Sequence, residues 1–381
     1  MLDFSFTEEQ NMFRKMLREF ALRELLPLYG HWDRVAEYPR EQIKKICSLV
    51  ITDLTPEEHT VIHAGIIAEE IARGDFNCVL PSLGPSVWKE FIKDASPQLE
   101  DMWYPSLITG EKTIGLAITE PEAGSDVSQM STRARRDGDD YVLNGEKNSV
   151  SYLNADVFYV FARTGPETIG WRGISAFLVP RETPGLSFNC YDDMGCRAVP
   201  RGQLFMDDVR VPAWYMVGQE GQVFKSIMSF FDVNRAFIGL KCLGAAEQTL
   251  DETIEYAKRR KQFGAPIAAF QGVSFPIAEA VTLVEAARLL CYKILWLKHN
   301  NQPCTLEGAM AKWWVPQISA ETIHQCLLIH GHYGYNKELP IEQRLRDVIG
   351  WQIGDGTPQI QKMIISRILF GRDVLGSVQK R

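Results

Sequence analysis

The chain has 381 residues, of which 45% are hydrophobic and 23% charged, a composition typical of a globular protein with room for two or three domains. A formal net charge of -7 argues against nucleic acid as the main partner, and no apolar run approaches the roughly 18 residues of a membrane span. The acidic start MLDFSFTEEQNMF is unlike a targeting peptide, and eight cysteines without a C-x-x-C pair favour reduced thiols, so we expect a cytoplasmic protein.

The predicted elements run in the order helix, strand, helix along the chain. Glu8 to Leu25 and Ala64 to Arg73 show the apolar spacing of amphipathic helices. Strand patterns follow, and Asp140 to Lys147 (DYVLNGEK) alternates around a predicted Asn-Gly turn. From Phe224 onward long helices return, and Val273 to Leu297 is apolar enough to lie inside a bundle. We therefore predict domains at 1–112, 113–222 and 223–381.

This order differs from the strand–helix alternation of a nucleotide-binding sheet, and the chain contains no G-x-G-x-x-G. Any dinucleotide must therefore be bound in another way. The stretch AITEPEAGSD, residues 117–126, opens the strand-rich section with small residues and hydroxyl groups. Such residues allow the backbone to approach a flat or anionic ligand closely, or they simply form a turn with capping hydroxyls.

Two further stretches allow a structural and a functional interpretation. KRRKQFG, residues 258–264, closes a predicted helix; its cations either complement the helix dipole or, with the later Gln271, clamp a pyrophosphate. In FDVNR, residues 231–235, Asp232 and Arg235 have the i, i+3 spacing of a surface ion pair. A buried Arg235 directed at a carboxylate would instead indicate a functional role.

The C-terminal stretch IGDGTPQIQKM, residues 353–363, places Asp355 between two glycines just before a predicted helix. Thr357 is suited to cap that helix, and Pro358 suits its first position, where no N–H is needed.

Together, and in this order, these motifs resemble those of the acyl-CoA dehydrogenase family, along with the opening DFSFTEEQ and the segment LFMDDVRVPAWYMVGQEGQVF. The resemblance covers essentially the whole chain. It implies an α+β fold with a helical N-terminal domain, a β-barrel middle domain and a C-terminal four-helix bundle. It also implies a homotetramer, a dimer of dimers, with FAD bound between domains and across a subunit interface.

The resemblance assigns roles to matching residues. Asp355 falls at the position of the catalytic base, which is usually Glu in the family. The FAD contacts implied are Leu116, Ile118, Thr119, Gly124, Ser125, Ser149, Ser151, Arg260, Gln262, Phe263, Gln271, Leu328, His332, Thr357 and Gln359. The substrate contacts implied are Ser125, Phe231, Asp232, Arg235 and Gly356.

The implied reaction is α,β-dehydrogenation of an acyl thioester carried by CoA or by an acyl carrier protein. The base removes the α-proton while a hydride leaves the β-carbon for flavin N5, and the Gly356 N–H would stabilise the carbonyl oxygen as its charge develops. Electrons would pass to an electron-transfer flavoprotein or to another acceptor. Burial should raise the pKa of the base, whereas the following helix N-terminus should lower it.

Several residues depart from the family pattern. Asp355 is one methylene shorter than Glu, so its oxygens retreat by about 1.5 Å. Gly354 stands where an aromatic residue is common, and Ser149 and Ser151 stand where Trp and Thr are usual. These changes suggest a wider acyl end that accepts branched, cyclic or aromatic groups. Leu328 and His332 are also unusual for residues expected to contact the ADP half of FAD.

Two alternatives remain open at this point. Nitroalkane oxidases share the fold and use an Asp as base, so Asp355 is also compatible with a flavin oxidase; a non-enzymatic scaffold is disfavoured by the carboxylate at 355. His330 and His332 are two residues apart, but without a third ligand at suitable spacing they do not predict a metal site.

Overall fold

The computed structural model describes residues 5–165 and 170–371. Six α-helices form the N-terminal section: α1 (Glu8–Phe20), α2 (Leu26–Val35), α3 (Arg40–Asp53), α4 (Val61–Gly74), α5 (Pro85–Phe91) and α6 (Pro97–Ile108). A π-helical turn, Ala21–Leu25, joins α1 to α2 and replaces the last turn of the single helix predicted from Glu8 to Leu25. Thr7 begins α1 with a capping box shared with Gln10, and the buried Phe13 and Leu17 lie on one face of the helix.

Eight strands form the middle section: β1 (Ile114–Ala117), β2 (Arg133–Asp137), β3 (Asp140–Ser151), β4 (Val157–Arg163), β5 (Ile174–Pro180), β6 (Leu186–Cys190), β7 (Arg201–Pro212) and β8 (Met216–Val217). They pair in the order β6-β7-β3-β2-β4-β5-β8, and β1 runs parallel to β4. Strands β4 and β5 are buried along nearly their whole length, which explains their continuous apolar sequences.

The predicted Asn-Gly turn in DYVLNGEK is wrong, because β3 continues through Asn144 and Gly145 with a bulge against β7. The Asn144 amide and the backbone and carboxylate of Asp208 exchange two hydrogen bonds of 2.9 Å at the bulge. Gly145 has φ 144°, and a Cβ there would lie 2.6 Å from the Thr132 hydroxyl oxygen. The glycine therefore marks a close backbone approach within a strand.

The C-terminal section contains α7 (Val223–Arg259), α8 (Gln271–His299), α9 (Thr305–His330), α10 (His332–Tyr335), α11 (Ile341–Ile353) and α12 (Pro358–Phe370). A short hairpin of β9 (Lys261–Gln262) and β10 (Ala265–Pro266) separates α7 from α8. Helix α7 is the central element; a Cβ at its Gly244 would lie 2.1 Å from the Glu69 carbonyl oxygen of α4. This close approach ties the first helical section to the last.

Helix α8 packs against α7 and α9, as the predicted bundle requires, but in this chain only one of its faces is buried. Ala280, Val284, Ala287, Cys291, Ile294 and Leu295 face the core, whereas Phe275, Val281, Leu283, Leu289 and Trp296 are exposed. The order helical, strand-rich, helical is confirmed, and the domain boundaries at 112/113 and 222/223 stay a prediction. Over the described residues, no helix combines the length and apolar character needed to cross a membrane.

Candidate active site

The loop from Gly354 to Thr357 joins α11 to α12 and carries Asp355. Asp355 has φ 55° and Gly356 has φ 96°, so the backbone is left-handed at two successive residues. A Cβ at Gly356 would lie 2.5 Å from the Gln361 amide nitrogen, which explains the glycine. The Thr357 hydroxyl accepts a hydrogen bond from the Ile360 N–H, and Pro358 opens α12, so the predicted cap is confirmed.

Two fully buried side chains hold this loop in place. The Gln361 amide donates to the carbonyl oxygens of Asp355 at 3.3 Å and Gly356 at 3.2 Å. The Lys312 ammonium, on α9, donates to the carbonyls of Trp351 at 2.8 Å and Gly356 at 3.3 Å. Sequence reasoning missed both residues: Lys312 lies 44 residues from Gly356 in the chain, whereas Gln361 is only five residues away, within the stretch IGDGTPQIQKM. These hydrogen bonds support the loop from within the chain.

The Asp355 carboxylate contacts helix α7. The Asn234 amide donates a 3.0 Å hydrogen bond to its Oδ2. The next residue, Arg235, is only 8% exposed and donates to Asp232 Oδ1 at 2.7 Å. The other oxygen of Asp232 accepts from the Thr305 hydroxyl at 2.6 Å. Hence FDVNR does not form a surface ion pair; it places a buried arginine and an amide beside the acid.

The environment raises the pKa of Asp355 above its usual value. Burial is the main cause, and the positive charges of Lys312 and Arg235, followed by Lys241 and Arg201, oppose it. The residue as a whole is exposed, whereas its Oδ2 meets the buried Asn234 amide. The acid is therefore both accessible to a ligand and shifted toward the protonated form, a combination that suits proton transfer.

A buried ion pair shapes the stretch AITEPEAGSD. Glu120 and Lys147, both almost completely buried, are 2.7 Å apart, and the Lys147 ammonium also donates to the Ile118 carbonyl at 3.1 Å. Glu120 further accepts from the backbone N–H of Ser131 and of Thr132. Burial opposes the charge on Glu120, but Lys147 and these donors lower its pKa to about 2. This pair, also missed from sequence, fixes the turn that presents Thr119.

Five of the predicted flavin contacts lie on neighbouring backbones. The Asn148 N–H donates to the Thr119 carbonyl at 2.7 Å and joins the end of β1 to β3. This bond brings together Leu116, Ile118, Thr119, Ser149 and Ser151. Ser149 is exposed and has φ 57°, and no bulky side chain occupies that position.

The remaining residues predicted in AITEPEAGSD and near the base are accessible. Gly124 and Ser125 are exposed after the turn, and a Cβ at Gly124 would meet nothing within 4 Å. Gln359 is exposed on the first turn of α12, and Phe231 is half-buried beside Asp232.

A second group of predicted flavin contacts lies far from Asp355. Arg260 is the C-cap residue of α7, 26 residues after Asn234, which corresponds to about 39 Å along the helix axis. Gln262, Phe263 and Gln271 follow on the exposed hairpin and the start of α8, and Phe263 is 95% exposed. Leu328 and His332 are also exposed, at the end of α9 and in α10. One chain therefore does not bring the two groups together.

The two histidines do not form a metal site. His330 is buried, its ring stacks on Tyr256 with centroids 4.2 Å apart, and its Nε2 is 3.2 Å from the Thr253 hydroxyl. His332 is exposed, and the described residues include no group of three or more ligands suited to a metal ion. His330 has a packing role.

Comparison with known proteins identifies the class. Sequence models of the N-terminal, middle and C-terminal domains of acyl-CoA dehydrogenase match residues 7–111, 115–209 and 221–370. The chain belongs to the acyl-CoA dehydrogenase family, is an enzyme of that class, and has its fold. It is an oxidoreductase acting on acyl thioesters.

Individual relatives match over nearly the full chain. The probable acyl-CoA dehydrogenase YngJ of Bacillus subtilis is 35% identical over 97% of this chain and 100% of its own. Subunit CarC of the caffeyl-CoA reductase-Etf complex of Acetobacterium woodii is 34% identical over 96% of this chain and 99% of its own.

Solved structures agree with the assignment to the acyl-CoA dehydrogenase family. Butyryl-CoA dehydrogenase of Megasphaera elsdenii has a TM-score of 0.90 and 32% identity, covering 97% of this chain and 100% of its own. The prolyl acyl carrier protein oxidase AnaB has a TM-score of 0.89 and 28% identity, covering 96% of this chain and 100% of its own.

Proposed function

We propose that the protein catalyses FAD-dependent α,β-dehydrogenation of an acyl thioester, with Asp355 as the base that removes the α-proton. The observation that carries the proposal is Asp355 itself. It is exposed as a residue, has a raised pKa and is held by Asn234 in a loop that Lys312 and Gln361 support. A carboxyl whose pKa is raised toward the working pH is an effective general base.

The polar groups near Asp355 support the proposal of a bound flavin. Members of the family are flavoproteins, and here exposed hydroxyl groups at Ser125 and Ser149 accompany the half-buried Thr119, while the N-terminus of α12 at Thr357 favours negative charge. The residues that would hold FAD from this chain are Leu116, Ile118, Thr119, Gly124, Ser125, Ser149, Ser151, Thr357 and Gln359. When bound, FAD would supply the hydride acceptor.

Residues of this chain would accept the α-proton and stabilise the negative charge that develops on the thioester carbonyl oxygen. Asp355 takes the α-proton, and the Asn234 amide holds its carboxylate by a hydrogen bond to Oδ2. The Gly356 N–H donates no hydrogen bond to any described residue, so it is available to the thioester carbonyl. Such a preorganised donor stabilises negative charge on the oxygen as the proton leaves. Ser125, Phe231, Asp232 and Arg235 would line the rest of the thioester path.

The flavin site is proposed to be completed by a second copy of the chain. Arg260, Gln262, Phe263, Gln271, Leu328 and His332 are too far from Asp355 to reach the same flavin within one chain, but their exposure suits contact with the ADP half of a neighbour's FAD. The exposed apolar face of α8 suits a homotetramer, a dimer of dimers.

Other features of the reaction also remain proposals. Gly354 and Ser149 favour a wide acyl end that accepts branched, cyclic or aromatic groups. The similarity to AnaB, named a prolyl acyl carrier protein oxidase, makes a carrier-protein thioester an alternative to acyl-CoA. The similarity to CarC, named as part of an Etf complex, favours an electron-transfer flavoprotein as acceptor. Cytoplasmic location stays a prediction.

The test is anaerobic flavin bleaching by a panel of straight, branched and cyclic acyl-CoAs and by acyl carrier protein thioesters. We expect yellow protein that at least one thioester bleaches. Oxygen consumption with a nitroalkane, and no bleaching by any thioester, would select the alternative, an oxidase of the nitroalkane type that uses Asp355 as base. A colourless protein that takes up no flavin would contradict both functions.

A matched variant tests the width of the pocket. Asp355→Glu restores the missing methylene, so it should improve turnover of straight-chain thioesters and impair branched ones. Asp101→Asn, on the exposed face of α6, is the control and should change neither. Equal losses with both kinds of substrate would contradict a widened acyl end.

A further inference from the structure

Two buried histidines, His59 and His63, lie side by side where the loop after α3 leads into α4. They are 4% and 6% exposed, and their ring centroids are 5.9 Å apart. The His63 ring also meets the Phe13 ring edge-on at 5.7 Å, and a Cβ at Gly84 would lie 2.4 Å from His59 Nε2. Both imidazoles are therefore packed inside the chain, and neither belongs to the site around Asp355.

Each histidine accepts a backbone hydrogen bond at the start of a helix. The Thr60 N–H, just before α4, donates to His63 Nδ1 at 3.1 Å. The Ser86 N–H, in the first turn of α5, donates to His59 Nδ1 at 3.4 Å, and the Ser86 hydroxyl oxygen is 2.9 Å from the same nitrogen. His63 stands at the third helical position, where a capping box usually has Glu or Gln. Both Nδ1 atoms must therefore be without a proton for these bonds to form.

A second proton on either ring conflicts with this arrangement in three ways. It would turn Nδ1 into a donor that faces a fixed backbone N–H. On His63 it would also place positive charge in the first turn of α4, where the helix dipole disfavours it. On both rings it would bring two buried cations close together. In agreement with this, burial and the neighbouring His63 lower the pKa of His59 to about 3, and burial lowers the pKa of His63.

The charged groups on the surrounding elements only partly offset this effect. Glu9 of α1 and Asp53 at the end of α3 favour a charged His63, whereas His299 at the end of α8 opposes it. The Glu58 carboxylate, in the loop before His59, accepts from the N–H and the hydroxyl of Thr55. Histidines are the side chains that ordinarily change charge between pH 7.5 and 5.5. The ionisable groups of α5 have partners elsewhere: Lys89 pairs with Glu100, and Glu90 pairs with Lys93 and Lys298.

Helix α5, which His59 holds at its first turn, reaches the proposed active site at its other end. Its last residue, Phe91, packs edge-on against Phe230 of α7 at 5.0 Å and against Tyr159 of β4 at 5.2 Å between ring centroids. Phe230 directly precedes Phe231, one of the residues proposed to line the thioester path. A change in the position of α5 would therefore be passed to that path through Phe91.

We propose that His59 and His63 form a pH-sensitive latch, which fixes the starts of α4 and α5 while both rings are neutral and releases them at mildly acidic pH. The latch does not depend on the proposed function, but its effect on substrate binding rests on it. Released rings return to the ordinary histidine pKa near 6.5, so the latch is complete above about pH 6.5 and weakens as pH falls below that value. Between pH 7.5 and 5.5 each ring should raise the ratio of released to latched molecules about 10-fold, and both rings together about 100-fold.

The test is amide hydrogen exchange of the full chain as purified, at pH 7.5, 6.5 and 5.5, corrected for the intrinsic pH dependence of exchange. In the wild type, protection of residues 59–64 and 84–88 should fall about 10- to 100-fold over this range. The double variant His59→Asn with His63→Gln keeps an acceptor at both positions but cannot titrate, so its protection should change less than about threefold. Each single variant should lose part of the fall, and His63→Gln alone decides should the double variant fail to fold.

A control histidine separates the latch from a general effect of histidine charge. His31 is exposed on α2, where its ring meets that of Trp32. His31→Gln should leave the fall in protection unchanged. With the proposed function, KM for a thioester on the FAD-loaded enzyme should rise at least about threefold more in the wild type than in the double variant between pH 7.5 and 5.5.

The outcomes distinguish the latch from the proposed function. Protection that does not change with pH in the wild type, or that falls equally in the double variant, overturns the latch and leaves the proposed function intact. Identical pH profiles of KM in the wild type and the double variant overturn the effect on the thioester path. Absence of bleaching by every thioester contradicts the proposed function itself, and the exchange experiment still decides on the latch.

Discussion

The loop from Gly354 to Thr357, which carries Asp355, and the β9–β10 hairpin are both predicted to contact FAD. They differ in how many of their contacts come from the same chain. Around Asp355 one chain supplies every packing and hydrogen-bond partner: Asn234, Lys312 and Gln361 are all buried. At the hairpin, Phe263 is 95% exposed. With the proposed function, this difference predicts that one chain supplies the chemistry and that retention of the cofactor depends on assembly.

The largest effect should follow from removing the base. Asp355→Asn preserves shape but not basicity, so flavin bleaching by a true substrate should slow by about 10³-fold or more. Flavin content and quaternary structure should not change, because the loop is held through backbone carbonyls. Single-turnover stopped-flow measurements test this. Retained turnover would remove Asp355 from the mechanism.

The next largest effect should follow from breaking the buried ion pair of Glu120 and Lys147. Lys147→Met leaves Glu120 buried without its partner, and we expect a loss of about 3–5 kcal/mol in the free energy of unfolding. The wild-type pair should resist acid: because the pKa of Glu120 is depressed to about 2, its contribution is present above about pH 4.3 and lost as pH falls toward 2. Denaturant unfolding from pH 7 to 3 measures both. The exposed Lys258→Met serves as control, and an equal loss there would contradict the prediction.

A smaller effect is expected at Asn234. Asn234→Ala removes the donor that favours the ionised form of Asp355, so the pKa of the base should rise further. Because the reaction needs the carboxylate, activity falls as pH falls through that pKa, and the acid limb of the profile should move to higher pH. We expect a 10- to 100-fold loss near neutrality, part of it recovered at high pH. A uniform loss across pH would show that Asn234 only packs.

The smallest effect on chemistry should come from the hairpin. Phe263→Ala and Arg260→Ala should weaken FAD retention about 10-fold and make it dependent on protein concentration, while turnover at saturating FAD stays within about threefold. Flavin-to-protein ratios on dilution and light-scattering masses test this. Loss of turnover at saturating FAD would place the hairpin at the reaction centre and erase the contrast between the two regions.

The sequence determined the order of elements, the cap at Thr357 and the position of Asp355, because these depend on short-range patterns: apolar periodicity, a Thr-Pro helix start and a run of contiguous motifs. The residues that contact Asp355 and its loop could not be predicted from short-range patterns. Asn234 and Lys312 lie 121 and 43 residues from Asp355 in the chain, so no local pattern marks their contact with its loop.

The wrong turn prediction and the half-exposed helix α8 have the same cause. Asn144-Gly145 has the local chemistry of a turn, but pairing of β3 with β7 on one side and the approach of Thr132 on the other made it a bulge. Helix α8 has an apolar sequence on most sides, and only packing decided which face the chain buries and which it leaves exposed. Propensity and periodicity fix local structure, whereas burial, and with it the charge state of Asp355, Lys241 and Glu120, is set by groups that only the folded chain brings together.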